Sequence, residues 1–278
     1  RGIDIIPEID MPGDMLAAVS NYEGVPVLTK PVGEASSPHL FVGKDSALEF
    51  CKNVYAELIA LFPYKYVHIG GDEVEKNQLE KMSGLPETMH DNNLKTEEEL
   101  QSWFIHDMED SLTGKAKNDS WDEIIEGGLS KTATVMWWRS WVKDAATKAT
   151  AQGNPVIFTP NGQFYLDYAE DKNSMASFKS GYDRQPDSRA AVADFRSAGK
   201  YLVRMDSFQR TYAIYGHSTF AAIAELGWSK PEQKDWNAFK QRLSDQFERL
   251  NIMGINYRIP DLEALMPSTP LSVKEPLM

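Results

Sequence analysis

The residues best placed to do chemistry are His68-Ile69-Gly70-Gly71-Asp72-Glu73. Adjacent side chains on a regular strand point to opposite faces. Asp72 and Glu73 can therefore serve one site only where a strand ends and the backbone turns. Gly70 and Gly71 relax the backbone just before them and leave space beside it. Neighbouring carboxylates disfavour each other's ionisation, so one can stay protonated as an acid near neutral pH. A surface turn with two solvated acids would have the same sequence.

A second acidic run is Pro7-Glu8-Ile9-Asp10-Met11-Pro12-Gly13-Asp14. On its own it reads as a polar loop at a strand end, with helix N-cap duty for Asp14. A third signal is aromatic. Trp121 and Trp138 fall at predicted strand ends, where a flat apolar face can stack on the C–H face of a sugar. Trp103 and Trp228 lie on helical stripes and are expected in the core. Tyr165 and Asp167 follow a predicted strand; they either give one ligand a hydroxyl donor and a carboxylate acceptor or are plain loop residues. His39, His90, His106 and His217 show no ligand spacing, and a lone strand histidine such as His68 reads first as a structural group. Glu8, Asp10, His68 and Asp72 together offer a different reading, a divalent ion held at strand ends in a metal-dependent hydrolase.

These residues need elements to position them. Ile3 to Asp10 is an apolar, β-branched run that predicts a buried strand ending in acids. Further strands are predicted at the segment leading to His68, at 118–121, 134–138, 155–159 and 201–205. Helices are predicted behind the capping boxes Ser46/Glu49 and Thr96/Glu99, over 143–152, and over 234–253 with Gly254 as its C-cap. Residues 21–44 read as a long loop and 260–278 as a tail. Strands alternating with helices predict an α/β fold with a parallel sheet. In a parallel barrel, Asp72 and Glu73 would stand at the C-terminal mouth, where ligands bind. An eight-stranded barrel needs about two strands more than the six or so counted here. They are expected upstream, because the chain opens on Arg1-Gly2-Ile3.

Composition narrows the function. Of the 278 residues, 42% are hydrophobic and 25% charged, which excludes disorder as the main state. The formal net charge of -12 would repel nucleic acid and anionic membrane. The single cysteine, Cys51, cannot form an intrachain disulfide. There is no apolar run of membrane-spanning length, signal peptide, P-loop, dinucleotide fingerprint, Cys-x-x-Cys or Gly-x-Ser-x-Gly.

Taken in order, RGIDIIPEIDMPG, YVHIGGDEV, LQSWFIHDMEDSL, SWDEIIEGGL, TATVMWWR, TPNGQFYLD and AIAELGWS resemble the family 20 glycoside hydrolases, the β-N-acetylhexosaminidases. The resemblance implies a (β/α)8 TIM barrel over residues 1–260, missing about two upstream strands, and a tail over 261–278. It also implies substrate-assisted retaining catalysis, in which the sugar's acetamide is the nucleophile. Asp72 would orient the acetamide and Glu73 would act as acid and then base. Tyr165 would donate to the acetamido oxygen, Trp121 and Trp138 would wall the N-acetyl pocket, and Asp167 would hold sugar hydroxyls. His68 and Asp10 would tune the acid from behind. No metal or organic cofactor is implied; the partners are N-acetylhexosamine glycans, in an exported, periplasmic or lysosomal compartment. Departures from the family pattern are Asp14 where His is usual, Trp137 where a small residue is common, and no Trp-Thr-Glu-like motif near Asp206. The missing motif and strands motivate an alternative, a sugar-binding member of the same fold without turnover.

Overall fold

In the computed structural model of the protein the described residues are 4–15, 18, 21–22, 45–74, 76, 85–161, 221–222, 224–225 and 228–255. The expected loop at 21–44, strand at 201–205, tail at 260–278, and Tyr165, Asp167 and Asp206 fall wholly or mostly outside them. The described residues up to Phe158 belong to one compact unit and those from Thr159 onward to a second.

The first unit is a parallel α/β layer. Its elements are α1 (Asp45–Leu61), β1 (Tyr66–His68), α2 (Leu85–Asp91), α3 (Glu97–Leu112), β2 (Lys117–Trp121), a 3-10 turn (Asp122–Ile125), β3 (Thr134–Trp137), α4 (Ala145–Ala151) and β4 (Val156–Phe158). The sheet order is β1-β2-β3-β4, every pair parallel. The predicted first strand runs alongside β1 on its free side. A single bridge joins Glu8 to His68, and hydrogen bonds run from His68 N–H to Pro7 O and from Met11 N–H to Ile69 O. In such a sheet all strand C-termini lie at one edge, so the segments after His68, Trp121 and Trp137 are neighbours.

Sequence explains most of these elements. α1 buries Ala47, Leu48, Cys51 and Tyr55 on one face, as an amphipathic helix does. α3 begins at the predicted cap: Thr96 accepts the Glu99 N–H at 3.2 Å, and Glu99 reaches back to the Lys95 N–H. β2 is less obvious, because its Asn118, Asp119 and Ser120 are polar yet buried. β3 is buried along its whole length, as a strand covered on both faces must be. The short α2 and the 3-10 turn were not foreseen.

In the second unit α5 (Trp236–Ile252) buries Phe239, Leu243, Phe247 and Leu250 against Ala222. Asp235 caps it, accepting the Asn237 and Ala238 N–H groups. Gly254 ends it at φ 67°, with Gly254 N–H bonded to Asn251 O and Ile255 N–H to Leu250 O. Trp228, expected in the core, is 78% exposed. It lies directly before the bend at Ser229, where the helical spacing that would carry it inward ends.

One side chain ties the fold to the strand ends. Tyr55, fully buried on α1, directs its hydroxyl at Ile9 O (2.6 Å) and His68 O (2.7 Å), bridging the first segment and β1. Burial pushes its pKa up, so it remains a neutral donor. Tyr55→Phe leaves both carbonyls short of a donor and is expected to lower stability by about 1–3 kcal/mol. Urea unfolding with an unchanged midpoint would show that the bridge contributes nothing.

Candidate active site

The site begins with a backbone turn. After β1 the chain takes left-handed conformations at Gly70 (φ 86°), Gly71 (φ 91°) and Glu73 (φ 52°). Those dihedrals break the strand's alternation, so two successive carboxyls are no longer bound to opposite faces of a sheet. Asp72 is buried and Glu73 exposed. Glu73 is a non-glycine residue in this region, a conformation that stores strain and recurs at functional turns.

Gly70 has to be glycine for a second reason. A Cβ there would overlap the Asp10 carboxyl and come within 2.7 Å of Asp10 Cα. Asp10 fills that space, and its Oδ1 accepts the Gly71 N–H at 3.1 Å. Gly13 allows an equally close approach, since a Cβ there would sit 2.7 Å from Asp72 O. From the other side, Gln101 on α3 donates to Gly71 O at 2.5 Å.

Asp10 also hydrogen-bonds to the Asp72 carboxyl. Burial first, and then the charge of Asp72, drive the Asp10 pKa far up. The two carboxyls can therefore share one proton, with burial favouring a protonated Asp10. The structure sets Asp10 beside Asp72, a carboxyl neighbour that the sequence reading did not pair with it.

His68 is buried beneath this turn. The Gly70 N–H donates to its Nδ1 at 3.1 Å, which makes Nδ1 an acceptor and assigns a neutral ring its proton on Nε2. Glu8 Oε1 lies 3.3 Å from the same Nδ1, a close approach rather than a hydrogen bond for that tautomer. Glu8 is instead satisfied by the Trp121 indole N–H at 2.8 Å. Trp121 is fully buried, and its ring packs on His68 with centroids 4.5 Å apart. Glu8, His68 and Trp121 thus meet across neighbouring strands. Among the described residues no group of three or more His, Cys, Asp or Glu is arranged to hold a metal ion.

The last expected residue in view, Trp138, follows β3 and is buried. Its backbone N–H donates to Asp122 Oδ1 at 2.9 Å and its indole N–H to Glu123 Oε2 at 3.0 Å. Arg139 closes the group. Its Nε is 2.7 Å from Asp122 Oδ2, and its Nη1 is 2.7 Å from Glu126 Oε1. Lys76 binds Glu126 in turn at 2.7 Å, so the segments after β1, β2 and β3 are linked. Burial alone would lower the Arg139 pKa, but Glu123 and Asp122 raise it. Sequence reasoning missed Asp122, Glu123 and Arg139. The signal was there: Asp122-Glu123 directly follows a strand end, as Asp72-Glu73 does.

Glu123 carries a consequence for pH. Burial, with Asp122 and Asp72 adding to it against Arg139, pushes its pKa from 4.5 to about 8. The folded protein therefore binds this proton more tightly than the unfolded chain does. The stability it contributes is complete below the ordinary glutamate value and is lost as pH rises toward 8. The melting temperature is expected to fall over that range, and Glu123→Gln to fall less steeply. The Asp10 shift acts in the same direction and should leave a residual slope. Equal slopes in the two proteins would contradict the assignment.

Comparison with known proteins fits this geometry. The model of the glycosyl hydrolase family 20 catalytic domain matches residues 1–219. A beta-hexosaminidase of Porphyromonas gingivalis is 35% identical over 281 residues, covering 94% of this chain and 36% of that protein. A beta-N-acetylhexosaminidase of Cellulomonas fimi is 25% identical over 264 residues, covering 88% of this chain and 49% of that protein. The chain thus spans between about a third and a half of the length of these relatives. Among solved structures, Flavobacterium johnsoniae chitobiase superposes with a TM-score of 0.73 at 27% identity, over 91% of this chain and 40% of that one. The exo-β-N-acetylglucosaminidase of Vibrio harveyi gives 0.72 at 25%, over 94% and 44%. The expected fold class, α/β of the (β/α)8 TIM-barrel type, is the one these neighbours carry. With the family model covering most of its length, the chain belongs to glycosyl hydrolase family 20.

Proposed function

We propose that this chain carries the catalytic centre of an exo-acting β-N-acetylhexosaminidase. It hydrolyses terminal β-linked N-acetylglucosamine or N-acetylgalactosamine with retention, using the substrate's acetamide as nucleophile. The observation that carries the reading is the buried Asp72 hydrogen-bonded to Asp10 of the neighbouring segment, followed on the strand-end turn by the exposed Glu73. The names of the relatives, beta-hexosaminidase and beta-N-acetylhexosaminidase, point to the same reaction.

Each group has a task the reaction needs. The acetamido oxygen attacks the anomeric carbon while the bond to the leaving oxygen breaks, giving a cyclic oxazolinium. Glu73 gives its proton to the leaving oxygen. Asp72, as the unprotonated member of its pair, accepts the acetamide N–H and stabilises the positive charge that develops on the ring. Its burial strengthens that interaction, because little water competes there. Glu73 then takes a proton from water, which opens the oxazolinium from the face the leaving group vacated. Asp10 keeps Asp72 in place and supplies the proton between them, and His68 fixes Gly70. Trp121 and Trp138 form the apolar wall that holds the acetamide close to the anomeric carbon. Tyr165 as donor to the acetamido oxygen and Asp167 as hydroxyl acceptor enter this reading from the sequence alone. No cofactor is required. Asp14 adds negative charge that helps raise Asp10, so the usual histidine is replaced by a group acting on the same pair.

The test is release of chromophore from aryl β-N-acetylglucosaminide and its galacto epimer. Glu73→Gln and Asp72→Asn should each lower kcat by about 100- to 10,000-fold. An unchanged rate in the glutamine variant would remove Glu73 as the acid.

A further inference from the structure

Gly71 stands one residue before Asp72, and the peptide groups on both sides of it are held. Its N–H goes to Asp10 Oδ1 at 3.1 Å, and its carbonyl takes the Gln101 side-chain amide at 2.5 Å. A peptide group is planar, so the Gly71 carbonyl and the Asp72 N–H turn together. Gln101 therefore grips the peptide through which the chain enters Asp72 and Glu73. Glycine, here at φ 91°, offers little steric resistance to rotation of that peptide, so a donor from outside matters more than it would at another residue.

The donor is itself well seated. α3 carries Gln101 among Leu100, Phe104 and Ile105, all buried. The next residue, Ser102, gives its hydroxyl to Ile124 O at 3.3 Å. A Cβ at Gly127 would overlap Glu98 O, so the first turn of the helix lies directly on the chain that follows β2. With two consecutive side chains, one helix holds the turns after β1 and β2.

Packing does not explain an amide at this position. Gln101 is 3% exposed, and among the described residues its Oε1 is buried with no hydrogen-bond partner. Burying a carbonyl in that way costs stability that a methionine of similar volume would not lose. What methionine lacks is the donor to Gly71 O.

We propose that Gln101 is a positioning residue: by holding the Gly71 carbonyl it sets the peptide that aims Asp72 and Glu73 at the reacting sugar. This rests on the reading above of those two residues as the acetamide-orienting carboxylate and the acid. Their contacts strengthen in the transition state, so a turn set slightly wrong lowers kcat more than it raises KM.

The test compares two variants of the full chain. Gln101→Met keeps the volume and loses the donor. Gln101→Glu is assayed at about pH 5, where burial beside an accepting carbonyl keeps the carboxyl neutral and its O–H replaces the amide donor. Measured per folded molecule are kcat and KM on aryl β-N-acetylglucosaminide, and the inhibition constant of the cyclic thiazoline analogue of N-acetylglucosamine, which has the shape of the oxazolinium. In the methionine variant kcat should fall about 10- to 100-fold. The thiazoline should bind it about tenfold more weakly, with KM within about threefold of the parent. The glutamic acid variant should keep kcat within about threefold of the parent. A purely structural role lowers the melting temperature and leaves kcat per folded molecule and the thiazoline constant where they were. A methionine variant with parental kcat and thiazoline affinity would overturn the proposal, as would a glutamic acid variant as slow as methionine. If the parent turns over neither the gluco nor the galacto substrate, the reading of Asp72 and Glu73 has failed and the proposal falls with it. The NMR shift of the Asp72 N–H in parent and methionine variant then still shows whether Gln101 sets that peptide. Should Gln101→Met not fold, Gln101→Asn, which withdraws the amide by one methylene, takes its place with the same expectations.

Discussion

Gly70 has no side chain, and the Asp10 carboxyl occupies the volume a Cβ would need. Much of the site follows from that substitution of one strand's side chain for the next strand's missing one. It brings Asp10 against the end of β1, where its Oδ1 takes the Gly71 N–H. It leaves the backbone free to run through left-handed conformations up to Glu73. It also sets two carboxyls from distant parts of the chain close enough to share a proton. Any larger residue at 70 would have to displace Asp10, and Asp72 would lose its partner in the same step.

The rest of the first unit holds that turn still. Tyr55 from α1 and Gln101 from α3 bind its carbonyl groups from the helical layer. Gly13 lets the first segment lie against the Asp72 backbone. The Lys76–Glu126–Arg139–Asp122 chain of ion pairs ties the following segments together at the same sheet edge. The site is rich in acids, so its chemistry depends on which of them keep protons. Burial answers that for Asp10 and Glu123, both pushed up.

The legible part of the sequence was the part with local signatures. Thr96 and Glu99 announced a helix start, Gly254 a helix end, and the two glycines before Asp72-Glu73 a strand-end turn. The four strands fell where β-branched or apolar runs placed them, except that β2, with Asn118, Asp119 and Ser120 buried, was only faintly marked. What stayed hidden was long-range. Asp10 and Asp72 are 62 positions apart, and their pairing depends on the register of two strands, which no local pattern encodes. Glu123 and Arg139 escaped for the same reason. Trp228 shows the converse error, an apolar residue with helical spacing at a place where the helix stops. Tyr165 and Asp167 stand on the sequence alone.

The central claim is that the acetamide, held by Asp72, is the nucleophile. It is tested most directly by replacing the acetyl group of an aryl N-acetylglucosaminide with mono-, di- and trifluoroacetyl. Each fluorine makes the carbonyl oxygen a poorer nucleophile with little change in size. The account predicts that kcat falls steadily and steeply along the series. A rate independent of fluorination would contradict it and place the nucleophile on the protein or on water.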